Sequence, residues 1–204
     1  LIWGGSAGVI FSFLVEMAVP ASEFVTMAIV APLAEELAKA SVFILVATGA
    51  RKLELTSLTD HIFYAGICAL GFAFVENLGY FALSSSAGEF VVMTLVRTGF
   101  GVFGHPLYTT ATAVGMWAWR NKGGFWKVIL GYVVACLLHG LWNGGPALLA
   151  DSLTLDETGQ LVTMVLVYVV LFVPVFIGTV IMATRNRRKE YEAVRSQLPL
   201  MVEA

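Results

Sequence analysis

Residues 32–40 read PLAEELAKA, which sets Glu35, Glu36 and Lys39 in the middle of a run, residues 23–48, that otherwise has the character of a membrane span. Whether three ionisable groups sit in lipid or in a protein interior decides how the rest of the chain is read. Of the 204 residues, 58% are hydrophobic and only 13% charged, and the mean hydropathy is +0.84. Water-soluble domains carry about 25% charged residues, so the composition points to a bilayer. A helix crosses the hydrocarbon core with about 20 apolar residues, and the chain offers six such runs, near residues 1–19, 23–48, 61–83, 90–119, 125–149 and 161–183. Strands of a membrane barrel alternate in polarity over about 10 residues, whereas these runs are continuous. The expected fold is all-α: a polytopic transmembrane helical bundle of about six spans. Residues 1–184 form the membrane domain, and 185–204 a short basic tail. The sequence opens at Leu1 without methionine or a basic segment, so a further span can lie upstream and no signal peptide is assigned.

Lysine and arginine are retained on the cytoplasmic side of short connections. Of the 12 basic residues, Arg51 and Lys52 follow the second run, and Arg120, Lys122 and Lys127 follow the fourth. Arg185, Arg187, Arg188, Lys189 and Arg195 follow the sixth, and only Lys39 and Arg97 lie deep inside runs, Lys127 standing at the edge of the fifth. The C-terminus is therefore expected in the cytoplasm and the protein in a membrane. A formal net charge of -2 gives no support to nucleic-acid binding. Cys68 and Cys136 fall inside runs, where thiols pack as small apolar groups, and no structural disulfide is expected. The bilayer is the first expected partner.

A charge at the centre of a bilayer costs about 2.5–3.5 kcal/mol on insertion scales, so several at one depth imply a task. Counted from the middle of each run, Glu35, Glu36 and His105 are central, with His139 and Glu76 displaced outward, a spread of roughly 6 Å at the helical rise. Lys39 follows Glu35 by four residues and Glu36 by three, which brings the charges onto one face. Asn77 adjoins Glu76, and His139 and Asn143 share a face at the same four-residue spacing. Polar side chains also serve as glue between membrane helices, but three glutamates and two histidines in one layer exceed what packing requires. Arg97, near the outer boundary, is as well explained by snorkelling. The stretch GFGVFG, residues 99–104, has the spacing of a dinucleotide fingerprint but lacks the strand and the soluble βαβ unit that give it meaning. Pro106 removes an amide beside His105, so a kink is expected at Gly104 to Pro106.

Carboxylates and imidazoles together can activate water, directly as a base or through a metal, and an asparagine amide such as that of Asn143 can donate to an oxyanion. A Zn2+ site would draw on His105, His139 and a glutamate, Glu36 or Glu76. The metal-free version is favoured, because adjacent glutamates point about 100° apart on a helix and Lys39 opposes a cation. Either Glu35 or Glu36 is then the base.

Glu35-Glu36-x-x-Lys39, Phe72-x-x-x-Glu76-Asn77, the mid-run His105 and His139-x-x-x-Asn143, in that order, resemble the PrsW family of intramembrane proteases. That family lies within the wider group of CAAX prenyl proteases and bacteriocin-processing enzymes. The resemblance implies cleavage of single-span or otherwise membrane-anchored protein substrates. For the family's namesake it implies the first cut in an anti-sigma factor on the extracytoplasmic side. It leaves the metal open, since these families have been read both as metalloproteases and as glutamate-dependent hydrolases. Glu76 stands where prenyl proteases have histidine, which argues against prenylated substrates. Two other readings stay open: a secondary transporter, which also binds at the midplane but commonly shows internal repeats that are not evident here, and a noncatalytic membrane interaction protein.

Overall fold

The computed structural model describes residues 1–49 and 55–202, so the basic markers Arg51 and Lys52 lie outside the described residues. Six helices follow one another among those residues. They are α1 (Gly4–Ala18), α2 (Glu23–Val25, Thr26–Val30 and Ala31–Thr48 in succession), α3 (Leu58–Ala82), α4 (Ala87–Lys122), α5 (Trp126–Ser152) and α6 (Glu157–Val167, Tyr168–Phe172 and Val173–Val202). No strand occurs among the described residues. Starts are set by side chains that take up free amides: Ser22 accepts from the Val25 amide, Ser86 from that of Glu89 and Asp156 from that of Gly159. Ser57 and Asp60 close a reciprocal capping box at the head of α3, so Asp60 is structural. The α4–α5 turn uses Gly123 and Gly124 at φ 65° and 81°, a region glycine enters without penalty.

Four helices are long and apolar enough to cross a membrane: Leu58–Ala82, Ala87–Lys122, Trp126–Ser152 and Thr158–Ser196. The two expected runs that fall outside this set do so for different reasons. Gly4–Ala18 is apolar but shorter, and α2 has the length but carries Glu35, Glu36 and Lys39. The protein is a helical membrane bundle, and the charged side chains Glu35, Glu36 and Lys39 are buried inside it, where α2 packs against α1, α3, α4 and α5. α4 lies at the centre, along α5 on one side and α3 on the other, while α6 rests on the outside. The tail expected from residue 185 continues α6 as helix to Val202.

Three helices have a π turn ahead of a proline: in α6 it is Tyr168–Phe172, before Pro174, and the other two are in α2 and α4. Over Thr26–Val30 the ladder of α2 is π-helical, and the Ala31 amide bonds to the Thr26 carbonyl. Pro32 has no amide to give, so the Met27 carbonyl loses both of its possible helical donors. α4 has a π turn at Arg97–Gly101, so the irregularity expected at Gly104 to Pro106 begins one turn earlier, ahead of the proline. π turns recur at functional sites, and those of α2 and α4 lie just outside the charged layer. Close approach of α4 and α5 depends on Gly131, where an added Cβ would collide with the Ala111 carbonyl.

Candidate active site

On α2 the spacing of Glu35, Glu36 and Lys39 brings their charges together, with Lys39 Nζ 3.2 Å from Glu35 Oε2 and 2.8 Å from Glu36 Oε1. All three side chains are buried, Glu36 and Lys39 completely. The third acceptor of the ammonium is His105 Nδ1 on α4, at 2.8 Å. Lysine can only donate, so His105 accepts at Nδ1 and carries its proton on Nε2, which lies 3.0 Å from Glu76 Oε2 on α3. Glu76 is held in turn by Arg97 Nη2 at 2.5 Å, and Arg97 Nε donates to Asn77 Oδ1 at 2.6 Å. The guanidinium also lies over the Tyr80 ring, 3.7 Å from its centroid. Arg97 thus points inward, and the snorkelling reading is replaced by a clamp on Glu76 and Asn77.

On α5, His139 Nδ1 is 3.1 Å from Glu36 Oε1. A carboxylate accepts, so Nδ1 bears the proton and the Nε2 lone pair faces Glu35 Oε2 at 3.8 Å. The other oxygen of Glu36 accepts from Thr109 Oγ1 at 2.7 Å. Tyr108 stacks on the His139 ring at 4.9 Å and 23°, and the two imidazoles meet edge to face at 4.9 Å. Phe72 lies under the Lys39 ammonium at 4.2 Å.

Two unprotonated nitrogens, His105 Nδ1 and His139 Nε2, therefore converge on Glu35, at 3.9 and 3.8 Å from its Oε2. Glu35, His105 and His139 each offer a ligand atom, all within 4.8 Å of one another. Two imidazoles and a carboxylate are the donor set of a catalytic zinc, and metal-ligating histidines place their other nitrogen on a carboxylate or carbonyl, as Glu76 and Glu36 provide here. The residues fit a divalent ion, and Lys39 Nζ is the group such an ion would have to move from His105 Nδ1. Glu76, expected as the third ligand, sits on the opposite nitrogen of His105.

A cavity of about 580 Å³ reaches this cluster, with Glu35, Glu76 and Asn143 in its wall and Glu16, Glu23 and Leu83 farther out. Its size is that of a ligand site. Glu36, His105 and His139 are not in that wall, so Glu35 is the carboxylate of the adjacent pair that faces the cavity. Asn143 stands apart from the ion-paired cluster, since its Nδ2 donates at 3.0 Å to the Met27 carbonyl freed by Pro32.

Glu35, Glu36, Glu76, His105 and His139, with Lys39 and Asn77, thus form one hydrogen-bonded network drawn from α2, α3, α4 and α5. Thr109 and Tyr108 escaped the sequence reading, which left Arg97 between snorkelling and a site role. Thr109 follows His105 by four residues, so the same-face rule applied to His139 and Asn143 would have found it. Nothing in the sequence marked Tyr108.

A family profile described as PrsW family intramembrane metalloprotease matches residues 1–179, a stretch that contains every member of the network. No curated protein and no solved structure matches the chain. Four helices contributing glutamates and histidines to one buried layer, within a sequence matched over nearly its whole length, lead to one assignment: the chain belongs to the PrsW family of intramembrane metalloproteases, and with it to the peptide hydrolases of the membrane.

Proposed function

We propose that the protein is an endopeptidase that hydrolyses a peptide bond of a single-span or membrane-anchored protein, with first cleavage of an anti-sigma factor as the specific form of that activity. We also place it in a bacterial plasma membrane with its C-terminus in the cytoplasm, on the strength of the basic residues at one end of the bundle. The observation that carries the proposal is the convergence of His105 and His139 on Glu35, the carboxylate of the cluster that lines a cavity of about 580 Å³ together with Glu76.

The roles follow from the contacts. Glu35 faces the cavity, so it is the carboxylate positioned to take a proton from an attacking water. Glu36 faces inward and fixes His139 through Nδ1, while Thr109 holds the other oxygen of Glu36. Glu76 fixes His105 through Nε2, and Arg97 keeps Glu76 in place. Lys39 lowers the repulsion between Glu35 and Glu36 and holds both at the level of the histidines. A divalent ion held by Glu35, His105 and His139 would polarise the scissile carbonyl and acidify water. A peptide strand lying in the cavity would be pre-oriented against these groups, which converts an encounter into an internal reaction.

The test uses purified protein in proteoliposomes with a fluorogenic single-span substrate. Wild-type protein should cleave it, and Glu35→Gln should lower turnover by about two to four orders of magnitude. Full cleavage by Glu35→Gln would remove the central residue of the proposal. A parallel arm with chelator, then added zinc, decides whether Glu35 serves as a ligand of an ion or acts alone as the base.

A further inference from the structure

Away from the catalytic layer, a groove of about 490 Å³ runs along the outside of the bundle between α4, α5 and α6. Its wall is apolar over most of its length, from Leu107 and Val134 to Val175 and Met182, and it ends at Lys122, Lys127 and Trp126. Among the described residues no carboxylate lines it. We propose that this groove binds one anionic phospholipid, with an acyl chain along the apolar wall and the phosphate between Lys122 and Lys127.

Three observations select that occupant. The first is length. From Leu107 to Ala118 the groove follows α4 for about 16 Å at the helical rise, close to one leaflet of a hydrocarbon core about 30 Å thick. Lys122 lies one further turn along, at headgroup level. The second is charge. Lys127 Nζ is fixed at the groove's end by donating to the Lys122 carbonyl at 3.2 Å and to the Gly123 carbonyl. The adjoining pocket across α6 shares Met182 and adds Arg185 and Lys189 at its rim, so the headgroup end is positive on both sides of α6. Basic pockets between helices at the cytoplasmic surface are sites for lipid phosphates. The third is Trp126, 61% exposed at the mouth, where an indole prefers the interface. The groove exists because Gly115 and Gly131 let α4 and α5 meet almost backbone to backbone, which leaves room that α6 does not fill.

The experiment is native mass spectrometry of the full protein released from vesicles of phosphatidylglycerol mixed with phosphatidylcholine of identical chains. Wild type should retain phosphatidylglycerol over phosphatidylcholine by about tenfold, and Lys122→Ala with Lys127→Ala should erase that preference. Thr179→Trp, which fills the groove from α6, should lower retention of both lipids. Arg187→Ala with Arg188→Ala, outside the groove, should retain lipid as wild type does. Lys127 also caps α4, so if its variant fails to fold, Lys122→Glu and Thr179→Trp carry the test. Equal retention of the two lipids, undiminished retention in Lys122→Glu or Thr179→Trp, or equal loss in the Arg187 and Arg188 variant would each overturn the proposal.

Discussion

Lys39 meets three acceptors with three protons, and its burial makes that match costly to disturb. Removing one partner of a buried ion pair leaves the other charge stranded, at about 3–5 kcal/mol. Lys39→Met is therefore expected to destabilise the protein by that order, read from unfolding midpoints in detergent. Combining it with Glu36→Gln should recover part of the loss, because one stranded charge disappears. Simple addition of the two single effects would show that the pair is not coupled. At this scale much was legible. Spacing alone put Lys39 on the face of Glu35 and Glu36, because a helix fixes which side chains meet within two turns. Spacing could not assign Arg97, since an arginine near a span's end reaches water or protein with equal ease, and only the packing of α3 beside α4 decides. Nor could it choose which glutamate faces the cavity, a matter of helix rotation.

Along α5, Tyr132, Cys136, His139 and Asn143 form one stripe, and each meets α2. Tyr132 donates to the Leu33 carbonyl at 2.8 Å, Cys136 to that of Pro32 at 3.7 Å and Asn143 to that of Met27 at 3.0 Å, while His139 takes Glu36. Gly140 and Gly144 lie between them against Ala28. The seam sets the depth of His139 against Glu36, and the carbonyls it uses are those near the π turn and Pro32. This bears on Asn143, which the sequence suggested as an oxyanion donor. An oxyanion role predicts that Asn143→Ala lowers turnover by about two to three orders of magnitude with the fold intact. Capping of the Met27 carbonyl predicts instead a stability loss of about 1 kcal/mol. That loss should shrink in a Pro32→Ala background, where an amide returns to α2. A four-variant cycle, measured for both melting and cleavage, distinguishes them. The helices themselves were readable from hydropathy, but the starts at Leu58, Ala87 and Glu157 lie three or four residues ahead of the expected runs, because the caps Ser57, Ser86 and Asp156 stand in polar sequence that hydropathy does not count. The π turns were not readable, because they arise from how proline and neighbouring helices share carbonyls.

For the molecule as a whole, the basic residues Arg120, Lys122, Lys127, Arg185 and Lys189 belong to the ends of α4, α5 and α6 that meet around the start of α3. Reporter tags near Lys122 and after Lys189 should accordingly read as cytoplasmic, and tags near Ser85 and Asp156 as external, in a membrane-impermeant labelling assay. Reversal of either pair would invert the side from which the cavity is entered. Six runs were expected, and six helices appear among the described residues, yet only four satisfy length and apolarity. Hydropathy counts residues one segment at a time, whereas α2 is made tolerable by α1, α3, α4 and α5 around it, a property of the assembly.

The ammonium of Lys39, set between Glu35 and His105, also bears on how folding and cofactor are related. Small zinc domains fold only when metal arrives, since nothing else balances their ligands. Here the chain brings its own counter-charge, since Lys39 already bonds to Glu35, Glu36 and His105. Chelator should accordingly leave the melting temperature of the protein unmoved, whatever it does to cleavage, and a large drop on chelation would mean that Lys39 does not hold the site together. If an ion does bind there, a site built this way could be emptied and refilled without unfolding, so that metal supply would change activity while the amount of folded protein stayed constant.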